Sequence, residues 1–179
     1  RTVSVGEADS QTQLVANRLL SAAGVRVVPV DDSLAASIVA MRNGGIDAFV
    51  WSGGVPTDSI AKLDRSVRVR LLDLGTDPSG VLRTVQREFP VYGTAVVPAG
   101  TYQPGSEAVT TLVVPNFLLV TDLMSDDVAE ALVRGLFDST NQLVVVNTAA
   151  LAIDIHTAIY TEPVPLHPGA MDYYRSAKS

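Results

Sequence analysis

Apolar and polar positions alternate along this chain in blocks. Val3 to Val5 forms a short apolar run closed by Gly6, and the polar stretch Glu7 to Thr12 leads into a segment with Leu14, Val15, Arg18 and Leu19 at helical spacing, stopped by Gly24. This reads as strand, loop, helix. Val25 to Val30 predicts a second strand, and Asp31, Asp32 and Ser33 supply helix-start signals for Leu34 to Arg42, which ends at Gly44 and Gly45. Ile46 to Trp51 predicts a third strand, with Ser52 to Pro56 as its turn and a helix from Thr57 to Asp64. Val67 to Leu74 then predicts a strand and Ser79 to Glu88 a helix. Strands alternating with helices across short turns imply a parallel sheet covered by helices, an α/β lobe.

The pattern breaks from Phe89 to Glu107, where Pro90, Gly93, Pro98, Gly100, Pro104 and Gly105 mark an irregular connection with one extended stretch, Thr94 to Val97. The expected division is a lobe over 1–98, a crossover over 99–108 and a further part over 109–179. In that last part Thr110 to Val120 predicts a strand interrupted by Pro115. Ser125 opens a helix to Asp138, with Asp126 and Asp127 in the first turn, where the helix dipole favours anions. Asn141 to Ile159 is apolar and reads as mostly helical, although Val144 to Val146 also suits a strand. Pro163 to Ala170 is a stiff turn before a last helical piece, Met171 to Ala177.

Composition mainly excludes. With 179 residues, 47% of them apolar, the chain is long enough to bury a core without staples. It has no cysteine, which removes disulfides and thiolate metal sites together. A net charge of -6, with no basic stripe among aromatics, argues against nucleic acid. The apolar runs at Leu118 to Val120 and Leu143 to Val146 fall far short of the ~20 residues that span a bilayer. The stretch Arg1 to Gly6 has neither the basic start nor the apolar core of a signal peptide.

The glycine motifs of α/β enzymes are missing: no G-x-S-x-G elbow, phosphate loop or dinucleotide turn occurs. The two histidines, His156 and His167, are eleven residues apart across two prolines, so they do not form a helical metal pair. His156, in an apolar segment, reads as a structural histidine, and His167 as a turn residue. Asp31/Asp32 and Asp126/Asp127 are explained by capping and dipole interactions. No enzyme, cofactor or metal is expected.

Ligand chemistry has two places to sit, because loops at the carboxyl ends of parallel strands turn into helix N-termini with free N–H groups. One is the loop after the first strand, with Asp9, Ser10, Gln11 and Thr12; the other is Trp51, Ser52, Gly53 and Gly54 after the third. Ordinary capping, turn formation and a core tryptophan account for the same residues.

Several stretches together resemble the TAXI family of solute-binding proteins. They are Val3-Ser4-Val5-Gly6 with Asp9 to Thr12, then Leu19-Leu20 and Ala23-Gly24; Asn43-Gly44-Gly45-Ile46-Asp47-Ala48; and Gly54-Val55-Pro56 running on to Ile60 and Leu63. Val97-Pro98-Ala99-Gly100-Thr101-Tyr102 and the ending Pro165-Leu166-His167-Pro168-Gly169-Ala170 through Tyr173-Tyr174-Arg175 complete the set. Asp9 and Gln11 stand where the family usually has glycine. The resemblance implies a type II periplasmic-binding-protein fold: residues 1–98 as the second α/β lobe, 99–108 as hinge, and 109–179 returning to a first lobe that precedes Arg1. It implies an extracytoplasmic receptor, with a signal peptide upstream, that captures a small organic acid or a glutamate-like amino acid for a TRAP-type permease. The same fold also serves as the effector domain of transcriptional regulators. A lobe without its partner implies self-association through uncovered apolar surface.

Overall fold

A computed structural model of the chain describes residues 1–64 and 66–177, and all of their side chains except those of Asp64 and Thr148. It divides into two compact units, Arg1–Pro115 and Asn116–Ser179. In the first, β1 (Thr2–Ser4), β2 (Val28–Val30) and β3 (Ala48–Phe49) form a parallel sheet in the order β2-β1-β3, so β1 is central. The chain is mixed α/β, as its alternating pattern predicts. The strands are shorter than the apolar runs. Only three residues of Val25 to Val30 pair, and Pro29, which cannot donate to a ladder, is tolerated because β2 is an edge strand.

The helices follow from the two-residue period of β1. Val3 and Val5 project to one face, where Ala16 and Leu20 of α1 (Gln11–Ala22) cover them with Val27, Ala48 and Val50. Ser4 projects to the other face and meets Ser37 of α2 (Leu34–Arg42). The opposite side of α1 presents Val15, Leu19, Ala22 and Ala23 to Val81, Leu82 and Val85 of α4 (Val81–Glu88) and to Tyr92. Thus α1 is buried along two stripes, at 3.6-residue spacing, between the sheet and a second apolar cluster. Burying each valine of this kind contributes about 1.5 kcal/mol or more. Arg18 finishes that cluster: its guanidinium lies 3.8 Å from the Phe89 ring centroid and bonds the Tyr92 hydroxyl. Behind α2 packs α3 (Asp58–Asp64).

An antiparallel hairpin follows, β4 (Gly93–Val97) with β5 (Val109–Val113), registered from Gly93 opposite Val113 to Val97 opposite Val109. Residues 99–108, read from the sequence as a crossover, connect these two strands within the first unit. The strand expected at Val67 to Leu74 does not form. Instead, the segment docks on the free edge of β5: the Asp73 carboxylate accepts the N–H of Thr110, and the Leu74 N–H donates to the Thr110 carbonyl. A side-chain oxygen stands where a third strand would offer a backbone carbonyl, so the ladder stops at one residue. Hydrogen bonds from the Gly75 and Thr110 N–H groups hold the Asp73 carboxyl below its ordinary pKa.

The expected strand Thr110 to Val120 ends at Val113, two residues before Pro115, which has no N–H, and residues 116 to 120, at the start of the second unit, form no strand. The helices of that unit are α5 (Asp126–Asp138), α6 (Thr140–Val146), a 3-10 turn at Thr148–Ala152, α7 (Ile155–Ala158) and α8 (Pro168–Ser176). Helix α8 packs on α5, burying Ala129 against Ala170, Tyr173 and Tyr174, with Phe137 stacked 5.6 Å from Tyr173. Burial raises the pKa of the Tyr174 phenol. His167 caps α8: its Nδ1 accepts the Gly169 N–H and its Nε2 donates to the Met124 carbonyl. The turn role expected of His167 is the one it has. His156 is exposed in the first turn of α7 and is not the packed core histidine its apolar neighbours suggest.

Gly169 permits this packing, since a Cβ there would fall 2.0 Å from the Asp126 carbonyl oxygen. Gly169→Ala is expected to cost about 1–3 kcal/mol in urea unfolding, as the two helices must part. An unchanged midpoint would show that α8 shifts off α5 freely.

Candidate functional site

The order β2-β1-β3 brings all three strand carboxyl ends to one edge of the sheet, with β1 as the point from which the chain winds both ways. Open parallel sheets bind ligands at this kind of crevice. A cavity of about 50 Å³ lies there. Gly6, Glu7, Ser10 and Thr12 come from the β1–α1 connection, Asp32, Ser33, Leu34 and Ser37 from the start of α2, and Val50 and Trp51 from the end of β3. Ligand pockets for whole small molecules are typically several hundred Å³. This one accommodates a single head group.

Each wall has a local cause. Gly6 turns the chain out of β1 with φ +95°, and a Cβ there would sit 2.7 Å from the Thr12 Cβ, so glycine alone brings the loop onto the first turn of α1. Ser10 caps α1 by accepting the Gln13 N–H, and the Gln13 amide accepts from the Asp9 N–H while donating to Asp31 at 2.8 Å. This network ties the loops after β1 and β2 together. Ser33 caps α2 in the same way through the Ala36 N–H. Two helix N-termini therefore face one small space. Asp9 adopts φ 59°, a left-handed conformation that aspartate tolerates better than most residues.

Beneath the cavity lies a relay of hydroxyls. Ser37 donates to the Ser33 carbonyl at 2.8 Å, which uses its only proton, so Ser4 must be the donor in the 2.7 Å contact between the two serines. Both are essentially inaccessible to solvent, at 0% and 2% exposure. Thr12 differs. It is 9% exposed, it lines the cavity, and no group among the described residues bonds its hydroxyl.

Of the residues singled out from the sequence, the cavity brings together Ser10, Thr12 and Trp51. Asp9 and Gln11, exposed loop and helix-start residues, do not line it, and Ser52, Gly53 and Gly54 belong to the turn beyond β3. The Trp51 N–H is already engaged with the Thr57 hydroxyl at 3.1 Å, which in turn donates to the Gly54 carbonyl. Only the ring is left to meet a ligand. Gly53 serves that ring, since a Cβ would fall 2.7 Å from the indole. Glu7 lies in the first loop read from the sequence, though not among the residues chosen from it, and sequence reasoning missed Asp32, Ser33, Leu34, Ser37 and Val50. The signal for Asp32 and Ser33 was their place directly after β2, read only as helix initiation.

The chain matches the model of the NMT1-like family over residues 1–177. It belongs to that family. NMT1-like proteins are a periplasmic solute-binding-like family. No described helix is long and apolar enough to cross a membrane.

Because Ser4 and Ser37 serve each other, the two should be energetically coupled. Ser37→Ala strands the buried Ser4 hydroxyl and is expected to cost about 1–3 kcal/mol, whereas adding Ser4→Ala to it should cost little more or restore stability. A double-mutant cycle in urea unfolding checks this, and strict additivity would mean that the hydroxyls are not paired.

Proposed function

We propose that the chain is the ligand-capturing part of an extracytoplasmic receptor of the TAXI type, which takes up a small organic acid or glutamate-like amino acid and hands it to a TRAP-type permease. The observation that carries the reading is the cavity at the strand ends, with two helix N-termini and the unbonded Thr12 hydroxyl around it. Membership in a solute-binding-like family supports the receptor role. The five TAXI-like motifs support the finer assignment, and the left-handed Asp9 keeps a glycine-like backbone where that family usually has glycine.

In this reading Ser10 and Thr12 offer polar contacts and the Trp51 ring an apolar wall, with Asp9, Gln11, Ser52, Gly53 and Gly54 shaping the loops that carry them. A cavity of about 50 Å³ holds one end of a solute, and an apposed lobe covers the rest. Closure over the ligand is then stabilised by contacts made only in the closed state. A thermal-shift screen against amino acids and organic acids tests the receptor role, because a ligand that binds only the native state raises the midpoint. At least one solute should raise it, and Thr12→Val should diminish the response. A chain that no solute in either class stabilises is not a receptor of this kind.

The second unit supports a further part of the proposal. Leu118, Leu119, Leu123, Val145, Val146, Leu151 and Tyr160 are 68–95% exposed, more apolar surface than an isolated unit leaves bare without use. The 179-residue chain alone should self-associate through these residues. Light scattering after size exclusion should report dimers or larger species, and a monodisperse monomer at tens of micromolar would refute it.

A further inference from the structure

The charges lining the cavity say which end of a solute it takes. Glu7 stands on the β1 side and Asp32 on the β2 side, and among the residues lining the space there is no lysine, arginine or histidine. Neither carboxylate has an ion-pair or hydrogen-bond partner among the described residues, whereas neighbouring Asp31 is engaged by Gln13. A helix N-terminus carries roughly half a positive charge, so the ends of α1 and α2 together supply about one unit against two carboxylates. About one negative charge is left over. The first-turn N–H groups that an anion would need are in part already taken, at Gln13 by Ser10 and at Ala36 by Ser33.

We infer that this crevice binds the ammonium group of an amine-bearing solute, held between Glu7 and Asp32, and that it disfavours a carboxylate. Thr12 completes the site. The residue is 9% exposed, its hydroxyl has no partner among the described residues, and as an acceptor it offers the ammonium a third oxygen beside the two carboxylates. The cavity of about 50 Å³ matches a head group of this size, and the Trp51 ring at its margin adds a π face toward which a cation is attracted. Of the two solute classes in the proposed function, this selects an amino acid presented amine-first over an amine-free organic acid. The amino acid's carboxylate points away from this sheet edge.

This inference rests on the cavity being the solute site, and the experiment separates the two. Calorimetric titration of the 179-residue chain, and of the same chain with any further domain of the protein attached, would compare glutamate, glutarate and 4-aminobutyrate. Glutarate lacks the amine and 4-aminobutyrate lacks the carboxylate beside it. Glutamate and 4-aminobutyrate should bind, and glutarate should bind at least tenfold more weakly. Glu7→Gln and Asp32→Asn should each weaken the amines about fivefold or more, an effect that shrinks as salt is raised, and should leave or improve the affinity for glutarate. Glutarate binding as well as glutamate, or amine affinity indifferent to both substitutions, would overturn the ammonium assignment and leave the receptor role intact. Failure of all three solutes, extended to the standard amino acids and their amine-free counterparts, would overturn both.

Discussion

Helix α1 must hide two apolar stripes at once, and the first unit is arranged around that demand. One stripe, through Ala16 and Leu20, closes the face of the sheet on which Val3 and Val5 lie. The other, through Val15 and Leu19, recruits α4 and brings Tyr92, Leu112 and Val114 over it. A helix held on both sides has little freedom to slide or rotate, because either movement would open a void in one cluster or the other. Its N-terminus is consequently a fixed point. Ser10 and Thr12 inherit their positions from packing one to three turns away, which is how a loop of few contacts keeps a definite geometry.

The same economy explains what could be read from the sequence. Alternation of apolar runs with helical spacings, punctuated by Gly6, Gly24 and Gly44, disclosed the α/β class and most helices, since burial periodicity is a local property of the chain. Strand lengths were less legible. Val67 to Leu74 has the composition of a strand, but Asp73 competes for the Thr110 N–H with its own carboxylate, and a single side-chain oxygen decides between ladder and loop. Residues 117–120 are apolar enough for a strand, yet no strand forms beyond Pro115.

The candidate site was legible by halves. Ser10, Thr12 and Trp51 were visible because Ser10 caps a helix, Thr12 sits in that helix's first turn and Trp51 follows a strand end. Asp32 and Ser37 were hidden by the order of the sheet: nothing in the succession of strands says that the third will cross to the far side of the first, and only that crossing puts loops one and two beside loop three. Polar residues explained well enough by capping hold a second relationship that exists only in three dimensions.

Ser37 belongs to two structures at once, the buried face beneath β1 and the floor of the cavity. Any change that re-shapes the floor there also alters how the core is held together, so the lineage cannot retune the bottom of its site without risking the fold. The rim residues Glu7 and Asp32, whose carboxylates have no partner among the described residues, carry no such penalty. Diversification of solute preference among relatives with this architecture should run through the rim, with the serine floor inherited as part of the foundation.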